Sequence, residues 1–76
     1  MSVSAPSSPS ISARQQLASS LRRLRAERGW SQEELAARCA LDRSFLAHVE
    51  RGARNISIDN IEKLAHALDV RIADLF

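Results

Sequence analysis

The fold is decided by one central stretch, SQEELAARCALDRSFLAHVERG, which runs from Ser31 to Gly52. Ser31 followed by Glu34 is the pattern of a capping box, in which two side chains satisfy free amide groups at a helix start. Asp42 can cap a second helix, and Gly52 is a typical stop signal at its end. The stretch therefore predicts two short helices joined by a tight connection.

The flanking sequence predicts further helices on both sides. Before the central stretch, leucines fall on one stripe at ~100° per residue until Gly29 ends the helix. After it, a helix that starts near Ser57 has an apolar stripe ~120° wide, and residues 72–76 have room for one more turn. The two stripes consist of Leu17, Leu21 and Leu24, and of Ile58, Ile61, Leu64, Ala65 and Leu68. We therefore expect an all-α fold with five helices.

The chain divides into an arm and one domain. Residues 1–12 hold five serines before Ser12, two prolines and no charged residue, a composition typical of a disordered arm. Residues 13–76 form the predicted domain, with the two-helix core at residues 31–52. A domain this small is marginally stable alone, which favours self-association.

Several classes of protein are excluded by composition. The single cysteine, Cys39, lies on a predicted core face, and with His48 and His66 it forms no metal-site spacing. No nucleophile, base and oxyanion donor converge, so we expect no enzyme and no cofactor. An apolar run of ~20 residues and a signal-peptide pattern are both lacking, so we expect no membrane partner and a location in the bacterial or phage-host cytoplasm, at the nucleoid.

The central stretch resembles the Cro/repressor (XRE) family of helix-turn-helix regulators. Its Ser-Gln start, its Glu-Leu-Ala and its closing Glu-Arg-Gly match the family pattern, and the resemblance extends from about Leu21 through Phe76. The segment LDRSFLAHVERGARNISIDNIEKLAHALDV is similar to controller proteins of restriction-modification systems. The resemblance implies a lambda-repressor-like domain that binds double-stranded operator DNA as a homodimer and regulates transcription. The resemblance also leaves one alternative function open, that of an antitoxin that binds a toxin partner.

The helix from about Arg43 to Arg51 is the predicted recognition helix. At ~100° per residue its polar side chains share one face, while Phe45, Leu46 and Val49 face the core. Such a helix fits the DNA major groove, whereas the narrow major groove of RNA excludes it. The guanidinium of an arginine can donate two hydrogen bonds to guanine. The expected base-reading residues are Arg43, Ser44, Ala47 and His48.

Other residues are expected to bind phosphates or to stabilise the fold. The family places an amide at Gln32 against a phosphate, and a helix N-terminus attracts such an anion. We interpret four residues around the next loop as a second phosphate clamp: Arg51, Arg54, Asn55 and Asn60. The resemblance implies a structural ion pair between Arg25 and Glu50. Trp30 is expected to cover the core.

The dimer interface is expected at the end of the fourth helix and the last turn, because the apolar residues there would otherwise be exposed. Its candidates are Val70, Ile72, Leu75 and Phe76. Two positions depart from the family pattern, since Ala40 and Asp69 stand where glycine is usual. No effector domain is recognisable, so we expect no small-molecule effector and control by protein concentration.

Overall fold

The computed structural model describes residues 12–76. They form four α-helices and one closing turn of 3-10 helix, and no strand occurs among them. The elements are α1 (Ala13–Arg28), α2 (Gln32–Cys39), α3 (Arg43–Glu50), α4 (Ile58–Leu68) and the closing turn (Ile72–Leu75). The all-α class is confirmed. The expected count of five helices is not, because the last element is a single 3-10 turn.

Each α-helix starts at a polar side chain that accepts a hydrogen bond from the backbone of its first turn. These N-cap residues are Ser12, Ser31, Asp42 and Ser57. Ser12 belongs to α1 rather than to the predicted arm, because it forms a reciprocal capping box with Gln15. The remainder of that arm, residues 1–11, lies outside the described residues.

The predicted capping box at the start of α2 is only half formed. The Ser31 hydroxyl accepts from the Glu34 amide at 3.0 Å, as expected. The Glu34 carboxylate instead accepts from Arg38 Nε at 2.7 Å, one turn further along the helix. An i,i+4 ion pair has therefore replaced the return hydrogen bond.

A leucine core joins all five elements. Leu21, Leu35, Leu46, Leu64 and Leu75 are completely buried, and they come from α1, α2, α3, α4 and the closing turn respectively. α3 packs against α1 and α2, α4 packs against α2, and the closing turn packs against α1 and α4. The inner side of α3 is thus fixed by α1 and α2, and its outer side is exposed to solvent.

Ile58 does not belong to the buried stripe of α4, contrary to the prediction from the sequence. The four later members of the stripe are buried, but Ile58 is 67% exposed. It is the first residue after the Ser57 cap. Helical side chains lean toward the N-terminus, so Ile58 extends past the packed turns of α4.

The turns that follow α2 and α4 adopt the left-handed conformation that the family pattern implies. Ala40 and Asp69 each have a φ of 57°, close to the 68° of Gly29 after α1. Alanine reaches this region at a cost of about 1–2 kcal/mol. The turn geometry is thus retained without the usual glycine.

We expect Ala40→Gly to raise the free energy of unfolding by about 0.5–1 kcal/mol, because relief of the left-handed strain exceeds the extra entropy of glycine in the unfolded chain. Guanidinium denaturation followed by circular dichroism measures this. Ala37→Gly is the matched control, since Ala37 is exposed within α2, and it should lose about 1 kcal/mol. Equal losses in both variants would contradict the strain at Ala40.

Within residues 12–76 no helix is long and apolar enough to cross a lipid bilayer.

Candidate nucleic-acid interface

α3 presents the predicted polar face at the surface. Asp42 Oδ1 accepts from the Ser44 amide at 3.0 Å and so fixes the start of the helix. Arg43 and Ser44 are exposed, whereas Ala47 and His48 are half-buried. The opposite face contributes Leu46 and Val49 to the core, and Phe45 packs against that core from the edge. All four predicted base-reading residues therefore lie on the outer side of one helix, with Arg43 and Ser44 the most accessible.

A buried ion pair ties α3 to α1. Glu50 is 2% exposed, and its two carboxylate oxygens accept from Arg25 Nη2 at 2.9 Å and Arg25 Nε at 3.0 Å. The two parallel hydrogen bonds form the bidentate geometry that is strongest for this pair of groups. Arg25 Nη1 also donates to the Trp30 carbonyl at 3.0 Å. The structure thus brings together the ion pair that the resemblance implied.

Gln32 joins the same network. Its Nε2 donates to Glu50 Oε1 at 3.1 Å, so its side chain is engaged inside the domain. Gln32 remains the first residue of α2, directly after the Ser31 cap, where free backbone amides and the helix dipole attract an anion. A phosphate contact by the Gln32 side chain stays a prediction. The backbone amides of this turn are better placed to donate to a phosphate, because the side chain is held by Glu50.

The predicted clamp residues lie around the segment that joins α3 to α4. Arg51, Arg54 and Asn55 are exposed, and Asn60 is half-buried in the first turn of α4. The Arg54 guanidinium lies 5.5 Å from the centre of the Phe45 ring, within the range of a cation–π contact. Phosphate contacts by this clamp remain predictions, but the structure gathers the four residues on adjoining segments.

Arg22 is a residue that the sequence analysis missed. Its Nη1 donates to the backbone carbonyl of Glu50, the last residue of α3. A cation at this end of a helix satisfies a free carbonyl and complements the negative end of the helix dipole. No spacing rule links residues 28 positions apart, so only the packing of α1 on α3 reveals it.

Trp30 and Cys39 belong to the fold rather than to a site. Trp30 packs against the core, as expected, with the Arg38 guanidinium 4.0 Å from its ring centre. Burial raises the pKa of the Cys39 thiol from 9.0 to about 11, against the opposing charge of Lys63. A thiol with this pKa is not a nucleophile at neutral pH.

The predicted dimer interface is exposed in part. Phe76 is 49% exposed and Ile72 is 37% exposed, while Val70 is half-buried. The expectation of exposure is wrong for Leu75, which is completely buried. The 3-10 turn directs Leu75 into the core between α1 and α4, and its neighbours remain outside.

A family model described as helix-turn-helix matches residues 21–75, most of the chain. The chain belongs to the helix-turn-helix family HTH_3. This confirms the resemblance to the XRE type, and the family consists of DNA-binding regulators, which are not a class of enzyme.

Named relatives include controller proteins. A hypothetical transcription factor of Neisseria meningitidis serogroup B is 54% identical over 54 residues, which are 71% of this chain and 51% of that protein. Control protein C.BamHI of Bacillus amyloliquefaciens is 53% identical over 45 residues, which are 59% of this chain and 56% of that protein. The chain thus spans about half the length of these two relatives.

Solved structures agree with both the fold and the family. The restriction-modification controller protein C.AhdI of Aeromonas hydrophila superposes with a TM-score of 0.80 at 49% identity, covering 83% of this chain and 96% of that one. Controller protein C.Esp1396I, solved as a tetramer with its natural 35 base-pair operator, gives a TM-score of 0.77 at 28% identity over 88% of each chain. The chain is therefore homologous to controller proteins, and the antitoxin alternative is not favoured.

Proposed function

We propose that this chain is a sequence-specific DNA-binding transcription regulator that acts as a homodimer on a pseudo-palindromic operator, as a restriction-modification controller protein. The observation that carries the proposal is the outer face of α3, which displays Arg43 and Ser44 while Leu46 and Val49 fix its inner face. The operator complex of C.Esp1396I supports the same use of a homologous fold.

The dimensions of α3 suit the major groove. An eight-residue helix is about 12 Å long, which matches a groove about 12 Å wide. With its N-terminal half toward the bases, Arg43 donates to guanine O6 and N7, and Ser44 and His48 reach neighbouring positions. Ala47 then offers a methyl group to thymine.

Phosphate contacts position this helix without reading sequence. The N-terminus of α2 binds one backbone phosphate through its free amides, with Gln32 beside it. On the other side of α3, phosphates are bound by Arg51, Arg54 and Asn55, together with Asn60 in the first turn of α4. The two sets flank the recognition helix and so set its register in the groove.

A second copy of the chain covers the exposed side chains of Ile72 and Phe76 together with the half-buried Val70, while Leu75 stays in the core of its own protomer. Apolar side chains clustered at one place on a small domain are typical of a self-association surface. A two-fold dimer places two recognition helices about 34 Å apart, one turn of DNA.

Selection of bound sequences from random double-stranded DNA, combined with sedimentation of the free and bound protein, tests the proposal. We expect enrichment of two inverted half-sites about one helical turn apart, bound by two copies of the chain. Enrichment of a single half-site by a monomer would overturn the homodimer. An unselected pool would overturn sequence-specific binding.

A further inference from the structure

His48 and Arg51 are in contact at the C-terminal end of α3. Arg51 Nη2 lies within hydrogen-bonding distance of His48 Nδ1. The backbone joins the same two positions, because the His48 carbonyl accepts from the Arg51 amide at 3.2 Å and from the Ala53 amide at 2.9 Å. The turn that carries Arg51 is thereby held against His48.

The chemistry of the two groups assigns their roles. A guanidinium is always protonated and has only donors. Arg51 must therefore donate, and His48 Nδ1 must accept. An accepting Nδ1 bears no proton, so the proton of the neutral ring is on Nε2. The opposite tautomer would place two N–H donors against each other, and an imidazolium would add charge repulsion.

Nε2 is free to make an outward contact. No residue in the described part of the chain hydrogen-bonds to it, and His48 is only half-buried, one turn after Ser44 on the polar face. The ring therefore offers a fixed donor on the surface that carries the predicted base-reading residues.

We infer that Arg51 is a positioning residue that holds His48 as an Nε2–H donor, and that His48 selects against cytosine at the base it faces. The second half of the inference rests on the proposed function. Guanine offers N7 and O6, adenine offers N7 and thymine offers O4 as acceptors in the major groove, whereas cytosine offers an amino donor. A fixed donor therefore has a partner on three bases and meets another donor on the fourth.

The tautomer is tested in the free protein by nitrogen-15 NMR of the histidine rings, at a pH above the usual histidine range. We expect a protonated Nε2 and an unprotonated, hydrogen-bonded Nδ1 at His48. Arg51→Ala should shift the His48 resonances toward those of exposed His66. Arg54→Ala, the matched control in the same loop, should leave the His48 resonances unchanged. A protonated Nδ1 in the native protein, or unchanged His48 resonances in Arg51→Ala, would overturn the positioning role.

Base preference is tested by selection from random DNA. We expect cytosine to be depleted about five- to tenfold at one position of each half-site, the effect of one hydrogen bond of about 1–1.4 kcal/mol. His48→Gln, which carries both a donor and an acceptor, should remove the depletion, and Arg51→Ala should reduce it while Arg54→Ala retains it. Equal tolerance of cytosine by the native protein would overturn the base-reading role. Failure to select any sequence would overturn it together with the proposed function, whereas the NMR result in the free protein would still decide the tautomer.

Discussion

Arg25→Ala is expected to lower the free energy of unfolding by about 3–5 kcal/mol, because it leaves the Glu50 carboxylate buried without its cation. Among residues 12–76, only the Gln32 amide would remain as a side-chain donor to that carboxylate. Domains have a total stability of about 5–15 kcal/mol, so the change removes a large part of it. Denaturation by guanidinium, followed by circular dichroism, measures the loss.

Arg23→Ala is the matched control on the same helix. Arg23 pairs with Glu27 at 3.4 Å, but both side chains are more than half exposed, at 56% and 57%. Such a pair contributes only about 0.2–0.5 kcal/mol. A loss below about 1 kcal/mol in Arg25→Ala would contradict the buried ion pair.

A double variant separates the pair from its surroundings. Arg25→Met combined with Glu50→Leu replaces both charges by apolar groups, which is often neutral or stabilising in buried sites. It should recover most of the stability lost in Arg25→Ala. A double variant as unstable as the single one would show that Arg25 acts mainly through its bond to the Trp30 carbonyl.

Local signals in the sequence were enough for the starts of α2, α3 and α4 and for the faces of α3, whereas the cap of α1 at Ser12 was assigned to the arm. Asp42 is a short-range cap, and the division of α3 into a polar face and an apolar face follows helical periodicity. Neither needs knowledge of distant residues. The pairing of Arg25 with Glu50 came from the family resemblance, since nothing local joins positions 25 residues apart.

Three features required the packed structure. Leu75 and Phe76 are adjacent apolar residues, yet only the direction of the 3-10 turn decides which one is buried. Ile58 fits the stripe of α4 but extends past its neighbours. The contact of Arg22 with the Glu50 carbonyl depends on where α1 crosses the end of α3. Periodicity identifies a face, whereas the limits of that face are set by the neighbouring elements.

Arg43→Ala is expected to abolish preference at one base pair of each half-site, because the exposed guanidinium at the start of α3 is the side chain suited to bidentate contact with guanine. The loss at a cognate half-site should be about 1–3 kcal/mol, or roughly five- to 150-fold in affinity. Binding to unrelated DNA should fall much less, since phosphate contacts provide most of it. Titration of cognate and scrambled duplexes at several salt concentrations measures both quantities.

Arg54→Ala is the control that separates base reading from phosphate binding. Arg54 is also exposed to solvent but lies in the loop after α3, beside the ring of Phe45. Its removal should weaken cognate and scrambled duplexes alike and reduce the salt slope by about one for each half-site. If Arg43→Ala instead reduced the salt slope and Arg54→Ala relaxed the sequence preference, α3 would have to enter the groove by its C-terminal end. Ser44 would then lie away from the bases and His48 would become the principal base contact, so the same two variants also decide the orientation of the recognition helix.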